Sequence, residues 1–152
     1  MKASLSENKP GHIRAISLWN PHATLVVIGE KQWETRSFPT LVRGRVAIHS
    51  ALNEEWKWMC GMQPFFGSLS THKAESLSYG HLLGTVEITD CLNAEGARTS
   101  LGQKELTFGN YDDGRYAWKL ERPVRFAQPI KFTGHQGFFW VPEDILPVIS
   151  RW

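Results

Sequence analysis

An ammonium, a carboxylate and a guanidinium fall within one short stretch, at Lys31, Glu34 and Arg36. On an extended backbone successive side chains alternate, so Glu34 and Arg36 share a face while Trp33 and Thr35 take the other. Lys31 stands at the entrance to that segment, two residues after Gly29. Arginine and lysine in such an arrangement can clamp a phosphate or a carbonyl oxygen. A glutamate beside them can fix the lysine, accept from a base edge such as the cytosine amino group, or act as a general base. The plain alternative is a surface ion pair that stabilises little.

Further polar and aromatic residues could extend such a site. His49 titrates near neutrality and could act as an acid or base, although a lone strand histidine is more often a hydrogen-bonded structural residue. Arg43 and Arg45 flank Gly44 and could widen a phosphate-binding surface, or be solvated turn residues. Tyr116 follows the turn Asp112-Asp113-Gly114-Arg115 and could stack on a base, the other reading being barrel packing, which is also the reading for Trp118. Trp19 and Trp33 bracket the first helical segment, and either could wall a cleft. Asp112 and Asp113 alone are weak evidence for a cation site. The chain has no glycine-rich phosphate loop, no Cys-x-x-Cys pair, no His-Glu-x-x-His and no nucleophile elbow.

The elements that must carry these residues are legible in outline. Ile13 to Leu18 reads as a strand buried on both faces. Asn20-Pro21 opens a helix, with Asn20 as cap and Pro21 at the first helical position; Gly29 ends it. Lys31 to Phe38 is extended, stopped by Pro39, and Arg43-Gly44 turns the chain into a strand over Arg45 to Ala51. A helix is expected from Asn53 to about Cys60, and a second short one near Thr71–Leu77. Leu82 to Leu92 is a strand with a bulge at Gly84. Asn93 to Gly114 should hold a short helix and a long loop. Tyr116–Leu120 and Val124–Phe126 read as two strands broken at Pro123. A strand at Phe138–Trp140 and a helix over Pro142–Ile149 complete the order. Many short strands with interspersed helices predict an α+β fold, a small mixed β-barrel with flanking helices.

A chain of 152 residues is the size of one domain and can bury a core without staples. Residues 1–11 read as a flexible leader, and 12–152 as a single domain. Hydrophobic residues make up 41% and charged residues 21%, which argues against a disordered chain. The net charge of +2 is too small for binding by overall field, so contacts with nucleic acid would need a local cluster. Seven tryptophans in 152 residues is a high count; some rings are expected in the core and others half exposed, where they can stack on a base or anchor a partner. Cys60 and Cys91 have no metal-site spacing and are expected as free thiols in a reducing cytoplasm. No apolar run approaches the roughly 20 residues that cross a bilayer, so no membrane partner is expected.

Three stretches carry a family resemblance: Ile16-Ser17-Leu18-Trp19-Asn20-Pro21-His22-Ala23; Gly29-x-Lys31-x-x-Glu34-x-Arg36; and Arg43-Gly44-Arg45-Val46-Ala47-Ile48-His49. Together they resemble the ASCH domain family, whose hallmark is the second pattern. The match is best over residues 13–51. It implies a PUA-like barrel with a cleft between barrel and helices, and the binding of RNA or single-stranded DNA or chemistry on a modified nucleoside. On that reading Trp19, Lys31, Trp33, Glu34, Arg36, Arg43, Arg45, His49 and Tyr116 surround the ligand. No cofactor is expected. An enzymatic version would be a ribonuclease, with a divalent metal as an option, or an amidohydrolase similar to those acting on N4-acetylcytidine, with Lys31 and Glu34 in the chemistry. Amidohydrolase-like members have a threonine three positions after the lysine, where this chain has Glu34, with Thr35 adjacent. The oligomeric state is left open.

Overall fold

A computed structural model describes residues 7–147. Six strands form one sheet: β1 (His12–Leu18), β2 (Trp33–Arg36), β3 (Gly44–Ser50), β4 (His81–Asn93), β5 (Tyr116–Lys131) and β6 (Phe138–Pro142). Their order is β2-β5-β4-β3-β1-β6. β1 and β3 pair in parallel and every other pair is antiparallel. Helix α1 (His22–Val27) follows β1 and buries Ala23 through Val27. Three more short helices are α2 (Phe65–Leu69), α3 (Ala94–Arg98) and α4 (Gln103–Phe108).

The sheet curls into an open barrel, and one aromatic contact shows it. Trp118 of β5 stacks on Phe138 of β6 with ring centroids 5.6 Å apart and planes 10° from parallel. These strands stand four steps apart in the sheet, about 19 Å in a flat sheet at roughly 4.8 Å per strand. The indole is also satisfied, its Nε1–H donating to the Phe38 carbonyl at 3.3 Å. Alternation along each strand divides the core. Ile16, Leu18, Val46, Ile48, Val86 and Trp118 gather on one face with α1. Ile13, Ala15, Ala47, Phe139 and Val141 gather on the other.

The expected strands are present, and α1 ends as foreseen. Gly29 adopts φ +86°, a conformation glycine takes without a Cβ penalty. The Leu25 carbonyl then accepts from both Glu30 and Lys31 backbone N–H, which turns the chain back and starts Lys31 toward the interior. Asn20 sits one residue before the cap position, yet its side-chain oxygen accepts from the Thr24 N–H at 3.0 Å.

Other expectations are corrected. The helix expected over Asn53–Cys60 is a 3-10 segment over Lys57–Gly61; Trp56 is drawn into a stack on Trp19, and an Asn53 side-chain bond to the Glu55 N–H makes a local turn instead. The helix expected near Thr71–Leu77 shrinks to a 3-10 turn at Ala74–Ser76, and α2 was not foreseen. The 93–114 stretch holds two helices, the first capped by the Asn93 side chain on the Gly96 N–H. β5 runs straight through Pro123. Arg122 at φ 51° takes up a bulge there, since Glu121 pairs with Glu87 and Val124 with Thr85. Of the helix expected at Pro142–Ile149, a 3-10 turn at Glu143–Ile145 is observed; residues 148 and 149, like the first six of the expected leader, lie outside the described residues.

At Gly84 β4 shifts register against β5. A Cβ there would stand 2.2 Å from the Val124 carbonyl oxygen, so the two backbones would have to separate. Gly84→Ala is expected to destabilise the fold by about 3 kcal/mol. Urea unfolding tests this, and an unchanged midpoint would refute the close approach.

Candidate functional site

The hallmark segment forms the floor of a cleft of about 550 Å³ between the barrel and the helices. Lys31 is 3% exposed. Its Nζ has three neighbours: the Phe108 carbonyl at 3.2 Å, His22 Nδ1 at 2.8 Å and Glu34 Oε1 at 3.4 Å. An ammonium has three N–H groups and no lone pair, so His22 Nδ1 must accept and the ring must be neutral. Burial, and then the positive charge of Lys31, push the His22 pKa down to about 3, in accord with that assignment.

Glu34 links the two cations. Its Oε2 accepts from Arg36 Nε at 2.8 Å. Burial would raise its carboxyl pKa, but Lys31 and Arg36 outweigh burial and hold it below the ordinary carboxylate range. Lys31 is itself pulled down by burial, with Glu34 opposing. Arg36 is fixed twice more: Nη2 donates to the Ser17 carbonyl at 3.1 Å, and the guanidinium lies 5.8 Å from the Trp118 ring centroid. Among the described residues its Nη1 has no hydrogen-bond partner, and the side chain is 21% exposed.

The rim is mixed. Trp19 is 48% exposed and stacks on Trp56 at 5.2 Å. Met59 and Phe108 supply apolar wall, and Thr35, Thr107 and Asn110 supply hydroxyl and amide groups. Behind Lys31, Glu105 of α4 accepts from the Gln32 N–H with Oε1, and its other oxygen is buried with no close hydrogen-bond partner among the described residues. Burial raises its pKa. The nearby Tyr111 hydroxyl is likewise buried without a partner, and burial raises its pKa too.

The sequence model of the ASCH domain matches residues 16–132, which include the whole floor of the cleft. The chain belongs to the ASCH domain family. No curated protein matches it. Solved structures do. An ASCH protein from Zymomonas mobilis is 15% identical, with 86% of this chain and 88% of that one covered at a TM-score of 0.53. A mutant of that protein is 16% identical, covering 84% and 88% at a TM-score of 0.55. At such identity the likeness establishes a shared fold, the PUA-like α+β barrel.

Within this ASCH cleft the structure gathers four of the residues singled out from sequence: Trp19, Lys31, Glu34 and Arg36. The other five stand elsewhere. Trp33 is buried with Ala94, Ala97 and Tyr111, because strand alternation sends it away from Glu34. Arg43 donates to the carbonyls of Thr40 and Val42 in its own loop. Arg45 pairs with Glu87 of β4 at 3.4 Å. Tyr116 pairs with Arg36 in the β2–β5 register but packs against the core. His49 lines a neighbouring cavity. Asp113 pairs with Arg98 at 2.8 Å. No group of three or more His, Cys, Asp or Glu among the described residues is arranged to hold a metal.

Sequence reasoning missed His22, Phe108 and Asn110. His22 was visible at the first turn of a helix whose end leads into Lys31. The Phe108 contribution is a backbone carbonyl and leaves no side-chain signal.

His22 gives the fold a pH dependence. Unfolded histidine titrates near 6.5, so between there and about 3 the unfolded chain takes up a proton that the folded chain refuses. Stability therefore falls as pH drops through that window. At pH 5 the loss amounts to about 2 kcal/mol. His22→Gln keeps an acceptor for Lys31 and removes the titration. Melting curves should show wild type losing about 4–8 °C more than His22→Gln between pH 7 and pH 5; parallel slopes would exclude a neutral buried His22.

Proposed function

We propose that the cleft binds single-stranded nucleic acid, one nucleotide unit entering between Trp19 and Arg36. The observation that carries this reading is the Nη1 edge of Arg36, uncommitted among the described residues and held at the cleft floor beside a half-exposed tryptophan. A fixed guanidinium suits a phosphate or a base carbonyl, and an exposed indole suits a base. Thr35 and Asn110 offer further hydrogen bonds to a base edge. RNA and single-stranded DNA both fit this chemistry. Cys60 and Cys91 are free thiols, which agrees with work in the reducing cytoplasm.

Binding is favoured over hydrolysis by the state of Lys31. Its Nζ is engaged by His22, the Phe108 carbonyl and Glu34, which commits the group to holding the cleft together rather than to a ligand. Its charge serves to keep Glu34 ionised and Arg36 in place.

Anisotropy of labelled single-stranded RNA and DNA, followed by a denaturing gel of the same samples, tests the proposal. Arg36→Ala should weaken binding about 10–100-fold, the loss of a charged hydrogen bond. Trp19→Ala should weaken it about tenfold. Affinity should fall as salt rises. Equal binding by wild type and both variants would overturn the reading, and shortened RNA would replace it with a nuclease.

A further inference from the structure

A second cavity of about 720 Å³ lies beyond the cleft, lined by Ser17, His49, Leu52, Lys131, Phe132 and Gln136 among others. Ser17 and His49 are register partners on parallel β1 and β3, so their side chains leave the sheet on the same face. Their heavy atoms are 3.0 Å apart, Ser17 Oγ to His49 Nδ1. The other ring nitrogen, Nε2, lies 2.7 Å from the Phe132 carbonyl oxygen. A carbonyl only accepts, so Nε2 carries the proton and Nδ1 presents its lone pair to the serine hydroxyl. The ring cannot swing away: Phe139 meets it edge to face at 5.8 Å, and Gly134 closes so tightly that a Cβ there would stand 2.5 Å from Cε1. Burial lowers the His49 pKa, the Phe132 bond partly opposing, and keeps that lone pair free at neutral pH.

We propose that Ser17 is a nucleophile, activated by His49, and that this cavity hydrolyses a small ester. The arrangement has the parts of an activated serine: a nucleophile, a base in contact with it, and a group that fixes the base through its far nitrogen. Here that group is a backbone carbonyl. Leu52, Ala51 and Phe132 provide apolar wall for an acyl group, and Lys131 and Gln136, whose side chains carry N–H donors suited to an oxyanion, line the same space. Ser17 Oγ bonds to the ester carbonyl carbon as its proton passes to His49 Nδ1. The tetrahedral adduct breaks its bond to the alkoxy oxygen, and the departing alcohol takes the proton from His49. Water then attacks the acyl-serine, giving a proton to His49 that returns to Ser17 Oγ as the carboxylic acid leaves.

A fluorophosphonate probe tests this on the full chain, because it traps an activated serine as a stable adduct whatever the natural ester is. Intact-mass spectrometry of the folded protein should show one adduct, mapped to the peptide containing Ser17. Ser17→Ala, a near-isosteric change, should melt with wild type and take none. His49→Gln should slow labelling at least 100-fold. p-Nitrophenyl acetate supplies a second readout independent of any His49 variant: wild type should release p-nitrophenolate and carry an acetyl group on Ser17 that Ser17→Ala lacks. No adduct and no acetylation in folded wild type, or an adduct that persists in Ser17→Ala, would overturn the proposal and leave the pair as a core hydrogen bond.

Discussion

An ammonium inside a protein of this size has to be met by acceptors on every side, and Lys31 sets that demand for the whole cleft. Removing such a group from water is expensive unless each N–H finds a partner. The partners come from three places in the chain: His22 on α1, Glu34 on β2 and the carbonyl at the end of α4. Each brings a requirement of its own. His22 can accept only while neutral. Glu34 is buried and needs a second cation, which fixes Arg36. Arg36 is then held by the Ser17 carbonyl and the Trp118 ring. One buried charge thus dictates the placement of two helices and three strands.

This view separates residues that carry charge from residues that carry shape. Glu34 is ionised because its surroundings are arranged for it, and Arg36 is oriented because Glu34 is. Neither is a surface pair of the kind that contributes little. Arg45 and Glu87 on the β3–β4 ribbon, 12% and 29% exposed and bordered by Arg122, lie nearer solvent than Lys31 and Glu34 do. The 15–17% identity to the Zymomonas mobilis ASCH structures, with the fold shared, shows how loosely the barrel itself constrains sequence.

Much of the frame was legible because it rests on local rules. Period-two alternation placed Val46 and Ile48 opposite Ala47 and His49, and Glu34 with Arg36 opposite Trp33. Gly29 marked the end of α1 because only a residue without Cβ turns there easily. What was not legible depended on distant contacts. Segment 53–60 carries good helix-start signals, yet Trp56 is claimed by Trp19. Pro123 reads as a break, yet one left-handed residue at Arg122 lets β5 continue past it. Among the candidate site residues on the hallmark segment, Lys31, Glu34 and Arg36 share the cleft, while alternation turns Trp33 away from it. The arginines around Gly44 also lie outside it, and nothing in a turn sequence shows which way its side chains will find acceptors.

The stack that runs from Arg36 through Trp118 to Phe138 has a temporal consequence. Strand β6 comes last of the six in sequence and pairs with the first, β1. Until residue 138 has left the ribosome, Trp118 has no ring to lie on and the barrel no seam. Non-local closure of this sort is slow relative to helix formation. A nascent chain therefore carries every residue of the hallmark motif long before it carries a finished cleft.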